Sequence, residues 1–90
     1  MKQKRERLEI IHDILRVVRD CKNKVKPTHL LYKSNLSHKM MTEYLTYLMD
    51  KKFIITIREG RNTFYSLSDT GFEYLEQYNT VLNFMESFGL

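Results

Sequence analysis

The sequence predicts an α+β fold that is mostly helical, with four helices and one β-hairpin. Apolar residues recur at helical spacing over most of the chain, as Met41, Leu45 and Leu48 do. Two runs of β-branched and aromatic residues flank the turn-forming segment 59–62, which is the pattern of a hairpin. The 90 residues, with one Pro and three Gly, have the size and composition of a single globular domain.

A basic arm leads into the first helix, which we predict from about Glu6 to Lys22. The arm carries Lys2, Lys4, Arg5 and Arg7. Two neighbouring apolar stripes follow, and so wide an apolar surface indicates burial on more than one side. Their members are Leu8, Ile11, Leu15 and Val18 in one stripe, and Ile10, Ile14, Val17 and Cys21 in the other.

Two helices that meet at a sharp corner form the centre of the sequence. Val25 fits a short edge strand, and Pro27 suits the first position of a short helix that ends at Ser34. After a turn at 34–36, Ser37 is a natural N-cap for a longer helix that reaches Lys52. A buried back and an outward polar face suit insertion into a DNA major groove, although an ordinary solvated helix has the same pattern. The outward residues are Lys39, Thr42, Glu43, Thr46 and Asp50.

The predicted hairpin has a basic tip, and charge is segregated along the whole chain. Arg58 and Arg61 lie at the hairpin turn, and such a hairpin after two cornered helices is called a wing. All 15 Lys and Arg lie at or before Arg61, so that residues 1–61, with seven acidic residues, carry a net charge of +8. Residues 62–90 carry −4. The first two-thirds of the chain is therefore suited to meet a polyanion.

The last helix is predicted from about Asp69 to Phe88. Ser68 is a candidate N-cap, and Thr70 with Glu73 forms an alternative capping box. The helix is so apolar that it must either fold back over the core or pack on another copy of the chain. Its 3-4-3 spacing is that of a coiled-coil seam, so we expect a homodimer. The expected interface residues are Phe72, Leu75, Tyr78, Leu82 and Met85.

Several classes of function find no support in the sequence. Cys21 is the only cysteine, which excludes an internal disulfide and fits a reducing compartment. Together with His29 and His38 it matches no zinc spacing. There is no Gly-rich phosphate loop, nucleophile elbow or apolar run of about 20 residues. We therefore expect no enzymatic activity, metal, cofactor, small-molecule substrate or membrane contact, and a cytoplasmic, nucleoid-associated location.

Three segments resemble a small archaeal family, the ten-kilodalton winged-helix DNA-binding proteins. The segments are Leu8-Glu-Ile-Ile-His-Asp-Ile-Leu15, Thr28-His-Leu-Leu-Tyr-Lys-Ser-Asn-Leu-Ser37 and Phe64-Tyr-Ser-Leu-Ser-Asp-Thr-Gly71. The resemblance implies a winged helix-turn-helix, duplex DNA binding, and a homodimer formed by an antiparallel coiled coil of C-terminal helices. It also implies a chromatin or regulatory role. One difference is that the last helix here is shorter than the family's coil and has no Lys or Arg.

These observations predict one structural unit in which residues 1–68 bind DNA and residues 69–90 dimerise. The residues expected nearest the base edges are His38, Lys39, Thr42, Glu43 and Thr46. Ser37 and the backbone N–H groups beside it are expected to meet phosphate. Further contacts to phosphate or the minor groove are expected from Tyr32, Lys33, Arg58, Arg61 and the basic arm. For each of these residues a plain solvated side chain is the alternative.

Three functional hypotheses remain open at this point. The protein is a sequence-specific transcriptional regulator, a sequence-indifferent chromatin protein, or a winged helix that binds another protein. The polar face of the long helix favours base reading, whereas the basic arm also suits packaging. In a protein-binding module the basic surface would be incidental, and binding would depend little on salt.

Overall fold

The computed structural model describes residues 7–90, so the arm residues Lys2, Lys4 and Arg5 and the predicted helix start at Glu6 lie outside it. The observed order of elements confirms the predicted, mostly helical α+β fold. The elements are α1 (Arg7–Asp20), α2 (Pro27–Ser34), α3 (His38–Asp50), β1 (Ile54–Glu59), β2 (Asn62–Leu67) and α4 (Asp69–Ser87). None of these helices is long and apolar enough to cross a membrane.

Helix α1 is the centre of the hydrophobic core and contacts α2, β2 and α4. The side chains of its two apolar stripes pack inward, as the width of the stripes predicted. Leu8 is the exception, because its position in the first turn leaves it 57% exposed. The other elements contribute Val25, Leu30, Met41, Leu45, Leu48, Ile54, Leu67 and Leu75 to the same core.

The segment after α1 differs from the prediction in a specific way. The helix ends at Asp20 instead of Lys22, because Lys22 and Asn23 adopt left-handed backbone conformations. The Asn23 side-chain oxygen then accepts a hydrogen bond of 2.7 Å from the Leu67 backbone N–H, which joins this loop to β2. Val25 forms the predicted edge strand as a single bridge to Tyr65.

The corner between α2 and α3 follows from local backbone chemistry. Asn35, in the left-handed conformation with φ of 54°, ends α2. The Ser37 hydroxyl oxygen accepts a 3.1 Å hydrogen bond from the Met40 backbone N–H, which confirms Ser37 as the N-cap of α3. The helix ends at Asp50 instead of Lys52, since the chain turns at Lys52 with φ of +65°.

Strands β1 and β2 form the predicted antiparallel hairpin, called the wing below. Their register pairs Ile54 with Leu67 at the base and Glu59 with Asn62 beside the turn. Gly60 has a positive φ of +62°, whereas the φ of Arg61 is not positive. This is the pattern expected of a two-residue hairpin turn whose first residue is glycine. The turn leaves Arg61 exposed at the tip.

Helix α4 is divided into two parts by its packing. Ser68 caps it by accepting a 3.1 Å hydrogen bond from the Gly71 N–H, and its hydroxyl donates to the Lys52 carbonyl at 2.6 Å. The first part packs on α1, where Leu75 is buried. From residue 79 onward every residue of the helix is exposed. Of the two outcomes expected of so apolar a helix, folding back on the core is therefore observed for its first half alone.

Candidate nucleic-acid interface

The outward face of α3 is the first part of the candidate interface. Met41, Leu45 and Leu48 are buried and fix the helix on the core. The residues expected to face outward, Lys39, Thr42, Glu43, Thr46 and Asp50, are exposed, as is His38 in the first turn. Because the back of α3 is packed, the backbone positions of these polar side chains are fixed by the core.

The two threonines on this face are held in defined orientations. The Thr42 hydroxyl donates a 2.9 Å hydrogen bond to the His38 carbonyl, and the Thr46 hydroxyl donates one of 2.8 Å to the Thr42 carbonyl. Each hydroxyl proton is thus committed to the helix backbone. What each threonine still offers is its methyl group and the acceptor capacity of its oxygen.

The wing lies beside α3, on the flank that carries Thr42. The Thr56 hydroxyl of β1 is 3.6 Å from the Met49 sulfur of α3. Met49 follows Thr42 by seven residues, about two helical turns, so both lie on the same flank. Arg58 follows Thr56 by two residues and shares its face of β1. The contact therefore brings the basic part of the wing to the Thr42 flank of α3.

An ion pair at the wing tip was not apparent from the sequence. The Lys24 ammonium lies 2.7 Å from both carboxylate oxygens of Glu59 and 4.8 Å from the centroid of the Phe64 ring. Lys24 thereby neutralises the acidic residue between Arg58 and the turn. The two partners are 35 residues apart, so no local pattern could have predicted the contact.

A second flank of α3 carries cations as well. The Arg7 guanidinium lies 4.3 Å from the centroid of the Tyr47 ring, and the Lys51 ammonium lies 5.8 Å from it. Arg7 and Tyr47 line a shallow cleft of about 200 Å³ together with Glu43 and Tyr44. The sequence placed Arg7 in the basic arm, but its position against α3 depends on how α1 and α3 pack.

The remaining candidate residues on α2 and the wing tip are accessible. Tyr32 is 83% exposed, and Lys33, Arg58 and Arg61 are exposed. Helix α3 itself contains one basic residue, Lys39, and two acidic residues, so its own net charge is −1. The positive charge of the candidate interface thus comes mainly from the elements around α3.

The residues predicted for dimerisation do not form a single surface. Tyr78, Leu82 and Met85 line an apolar groove of about 350 Å³, and Leu8 lies on its other side. Leu75 is only 2% exposed, because it packs in the core of its own chain, and this corrects its assignment to an interface. Phe72 is exposed but lines a different groove, beside Arg19.

Aromatic residues of α1 and α4 pack against each other beside this groove. The His12 and Tyr78 rings are stacked with their centroids 4.2 Å apart. Burial of the phenol, with smaller contributions from Tyr78 and Tyr47, raises the pKa of Tyr74 above its ordinary value. Tyr74 therefore stays neutral at physiological pH.

Within residues 7–90 no cluster of His, Cys, Asp and Glu side chains is arranged to hold a metal ion.

The fold is similar to those of several solved proteins. Sso10a-2, a DNA-binding protein from Sulfolobus solfataricus, superposes with a TM-score of 0.74 at 21% identity, over 93% of this chain and 85% of that one. F93 from STIV, a winged-helix DNA-binding protein, gives 0.75 at 15% identity, over 88% of this chain and 91% of that one. At these identities the likeness concerns the fold alone.

A transcription regulator has the same fold within a longer chain. MepR, a transcription regulator of the Staphylococcus aureus multidrug efflux pump MepA, superposes with a TM-score of 0.78 at 15% identity. The similarity covers 88% of this chain but 60% of MepR, so this chain spans about three-fifths of its length. No curated protein matches the chain in sequence. The sequence model of the winged helix-turn-helix family matches residues 4–86, and the chain therefore belongs to that family.

Proposed function

We propose that this protein is a homodimer that binds duplex DNA and acts as a transcriptional regulator, with α3 in the major groove and the wing on the adjacent backbone. The observation that carries the proposal is the exposed polar face of α3. The opposite side of α3 is packed on the core, and the basic wing lies beside it. A major groove about 12 Å wide admits one α-helix. Proteins of the same fold are described as DNA-binding proteins and as a transcription regulator, which supports the proposal.

In this proposal, affinity arises mainly outside α3. Since α3 has a net charge of −1, it gains little from the phosphates. The exposed cations Lys33, Arg58 and Arg61 lie on α2 and the wing, where they can neutralise phosphates near the helix. Ser37, Tyr32 and the basic arm would supplement these contacts to the backbone.

Sequence reading is assigned to α3. Thr42 and Thr46 present acceptor oxygens and methyl groups, because their hydroxyl protons are donated to the helix backbone. Such groups can accept from the amino groups of cytosine or adenine and contact the methyl group of thymine. His38, Lys39 and Glu43 would complete the readout. A sequence-indifferent chromatin role remains the second candidate, since most of the exposed cations lie outside the reading helix.

Dimerisation is assigned to the exposed half of α4 and the groove beside Leu8. Leu82 is 40% exposed and Met85 is 42% exposed on a helix that has no Lys or Arg. A second copy of the same helix is an apolar partner for this groove, and a two-fold axis would then present two α3 helices to successive half-sites.

A titration of duplex DNA at several salt concentrations tests the proposal. If each subunit neutralises about four phosphates, the plot of log K against log salt should have a slope near −7 for a dimer. Fluorescence anisotropy on a random-sequence duplex measures it. A slope flatter than about −2, or no binding at low salt, would indicate that the winged helix binds a protein instead.

A further inference from the structure

Arg7 and Tyr47 form a contact that lies beside the proposed reading helix and has no evident role in the core. Arg7 is exposed in the first turn of α1, and its guanidinium carbon lies over the Tyr47 ring, 4.3 Å from the ring centroid. The Lys51 ammonium lies 5.8 Å from the same ring, so Tyr47 gathers two cations at this place. A planar guanidinium on a ring keeps its N–H donors free at its edge.

This contact and the wing lie on opposite flanks of α3. Met49, which contacts the wing, and Tyr47, which holds Arg7, are two residues apart. At about 100° per residue their side chains point roughly 160° apart around the helix. The exposed Lys39 and Thr46 lie between the two flanks. The cations of the wing and those at Tyr47 thus bracket the outward face of α3.

A helix seated in a major groove meets a phosphate backbone on each side. The wing cations are assigned to one of these backbones, whereas the basic arm that includes Arg7 is assigned to phosphate without a stated side of α3. We infer that Arg7, held by Tyr47, binds a phosphate of the second backbone, with Lys51 adding positive charge. This inference rests on the proposed binding of duplex DNA and gives one residue of the basic arm a defined position in it. Tyr47 acts here as a positioning residue, since its ring orients the guanidinium.

Among residues 7–90, Glu43 is the acidic residue that lines the same cleft. It lines the cleft with Arg7, but among the described residues the two form no ion pair within 4.0 Å. Arg7 therefore keeps its charge available to an external anion. An Arg whose guanidinium rests over a ring and whose N–H donors remain available is a suitable phosphate ligand.

The test compares Arg7→Gln with Arg16→Gln. Arg16 lies nine residues further along α1, which is about half a rotation away on the helix, and it pairs with Asp20 at 3.5 Å. Both changes remove one positive charge from the same helix. Arg7→Gln should reduce the magnitude of the salt slope by about two for a dimer, which is one phosphate per subunit, whereas Arg16→Gln should leave it nearly unchanged.

Two further variants test the role of the Tyr47 ring. Tyr47→Phe keeps the aromatic face and should bind within about twofold of wild type, whereas Tyr47→Leu removes the face and should weaken binding several-fold. Circular dichroism checks that both variants are folded. If Tyr47→Leu does not fold, the comparison of Arg7→Gln with Arg16→Gln still tests the inference. Equal slopes for Arg7→Gln and Arg16→Gln would overturn the inference while leaving DNA binding intact. A wild type that binds no DNA would overturn the proposed function as well.

Discussion

The Lys24 ammonium lies 2.7 Å from both carboxylate oxygens of Glu59, so that the loop before α2 neutralises an acid at the tip of the wing. Without Lys24, this carboxylate would stand between Arg58 and Arg61, the two cations that we assign to phosphate. Both partners are substantially exposed, so the pair contributes little to stability, about 1 kcal/mol at most. Its effect should appear in DNA binding instead.

We expect Lys24→Gln to weaken binding to any duplex by about three- to tenfold, since an unpaired Glu59 would repel phosphate. The double variant Lys24→Gln with Glu59→Gln should restore most of the affinity, because it removes the exposed carboxylate. Anisotropy titrations at one low salt concentration measure all three proteins. If the double variant binds as poorly as Lys24→Gln alone, Lys24 contacts the DNA directly and its role at Glu59 is secondary.

Gly71 provides a prediction about stability in which two effects have opposite signs. An alanine in a helix is more favourable than glycine by about 1 kcal/mol, so propensity alone predicts that Gly71→Ala stabilises the fold. A Cβ at this position would overlap the Phe53 carbonyl oxygen and come within 3.3 Å of the Leu67 side chain. Relief of a clash with backbone requires a shift of α4, and overpacking of this kind costs about 1–3 kcal/mol.

The clash with backbone should prevail, so Gly71→Ala is expected to lower the unfolding free energy by up to about 2 kcal/mol, as measured by urea denaturation. Glu73→Ala is the matched control, because Glu73 is exposed in the same turn of α4. Its effect should stay within about 0.5 kcal/mol. A more stable Gly71→Ala would mean that the start of α4 shifts away from Phe53 without cost.

Local signals predicted the elements well because the deciding contacts are local. Ser37 and Ser68 cap α3 and α4 through hydrogen bonds to residues three positions on, which is what the sequence motif predicts. The turn at 59–62 needs only a glycine with positive φ, and Gly60 is that residue. The end of α1 was misplaced, since Asn23 bonds to Leu67, 44 residues away.

The candidate site was predicted less completely for the same reason. Leu75 and Leu82 occupy equivalent positions in the 3-4-3 pattern, yet one is 2% exposed and the other 40%. Leu75 packs in the core of its own chain, whereas Leu82 lines the groove beside Leu8. Periodicity identifies an apolar face but does not specify which element covers it. The contacts of Lys24 and Arg7 likewise depend on tertiary packing.

Leu82 tests the assignment of the dimer to the exposed half of α4. Leu82→Glu should place a carboxylate in the apolar groove and, in a dimer, cost several kcal/mol of association. Because Leu82 is 40% exposed, the fold of the single chain should tolerate the change. Sedimentation at tens of micromolar, roughly the range where a weak dimer survives, should show a dimer for wild type and a monomer for the variant.

Asn83→Glu is the control for that experiment. It adds the same charge at the next position of α4, and Asn83 is exposed and outside the groove. We expect it to remain a dimer. A wild type that sediments as a monomer at these concentrations would contradict the dimer, and a monomeric Asn83→Glu would mean that repulsion between acidic helices, not the groove, controls association.

The last prediction separates sequence reading from phosphate binding. Arg61 lies exposed on a two-residue turn, where a long cation reaches phosphate but is poorly fixed for directed hydrogen bonds. Arg61→Ala should therefore weaken binding to all duplexes by a similar factor and reduce the magnitude of the salt slope by about one for each phosphate that Arg61 neutralises in wild type. Anisotropy titrations on a preferred site, obtained by selection from random duplexes, and on a random duplex measure both effects.

Thr42 and Thr46 should behave in the opposite way. They project from a helix fixed by buried residues, and their hydroxyls are oriented by hydrogen bonds to the backbone. Thr42→Ala and Thr46→Ala should leave the salt slope unchanged and, in a regulator, cost about 1 kcal/mol or more on the preferred site alone. Small and equal effects on both duplexes would argue for the chromatin role, because a protein that reads no bases loses nothing specific when these acceptors and methyl groups are removed.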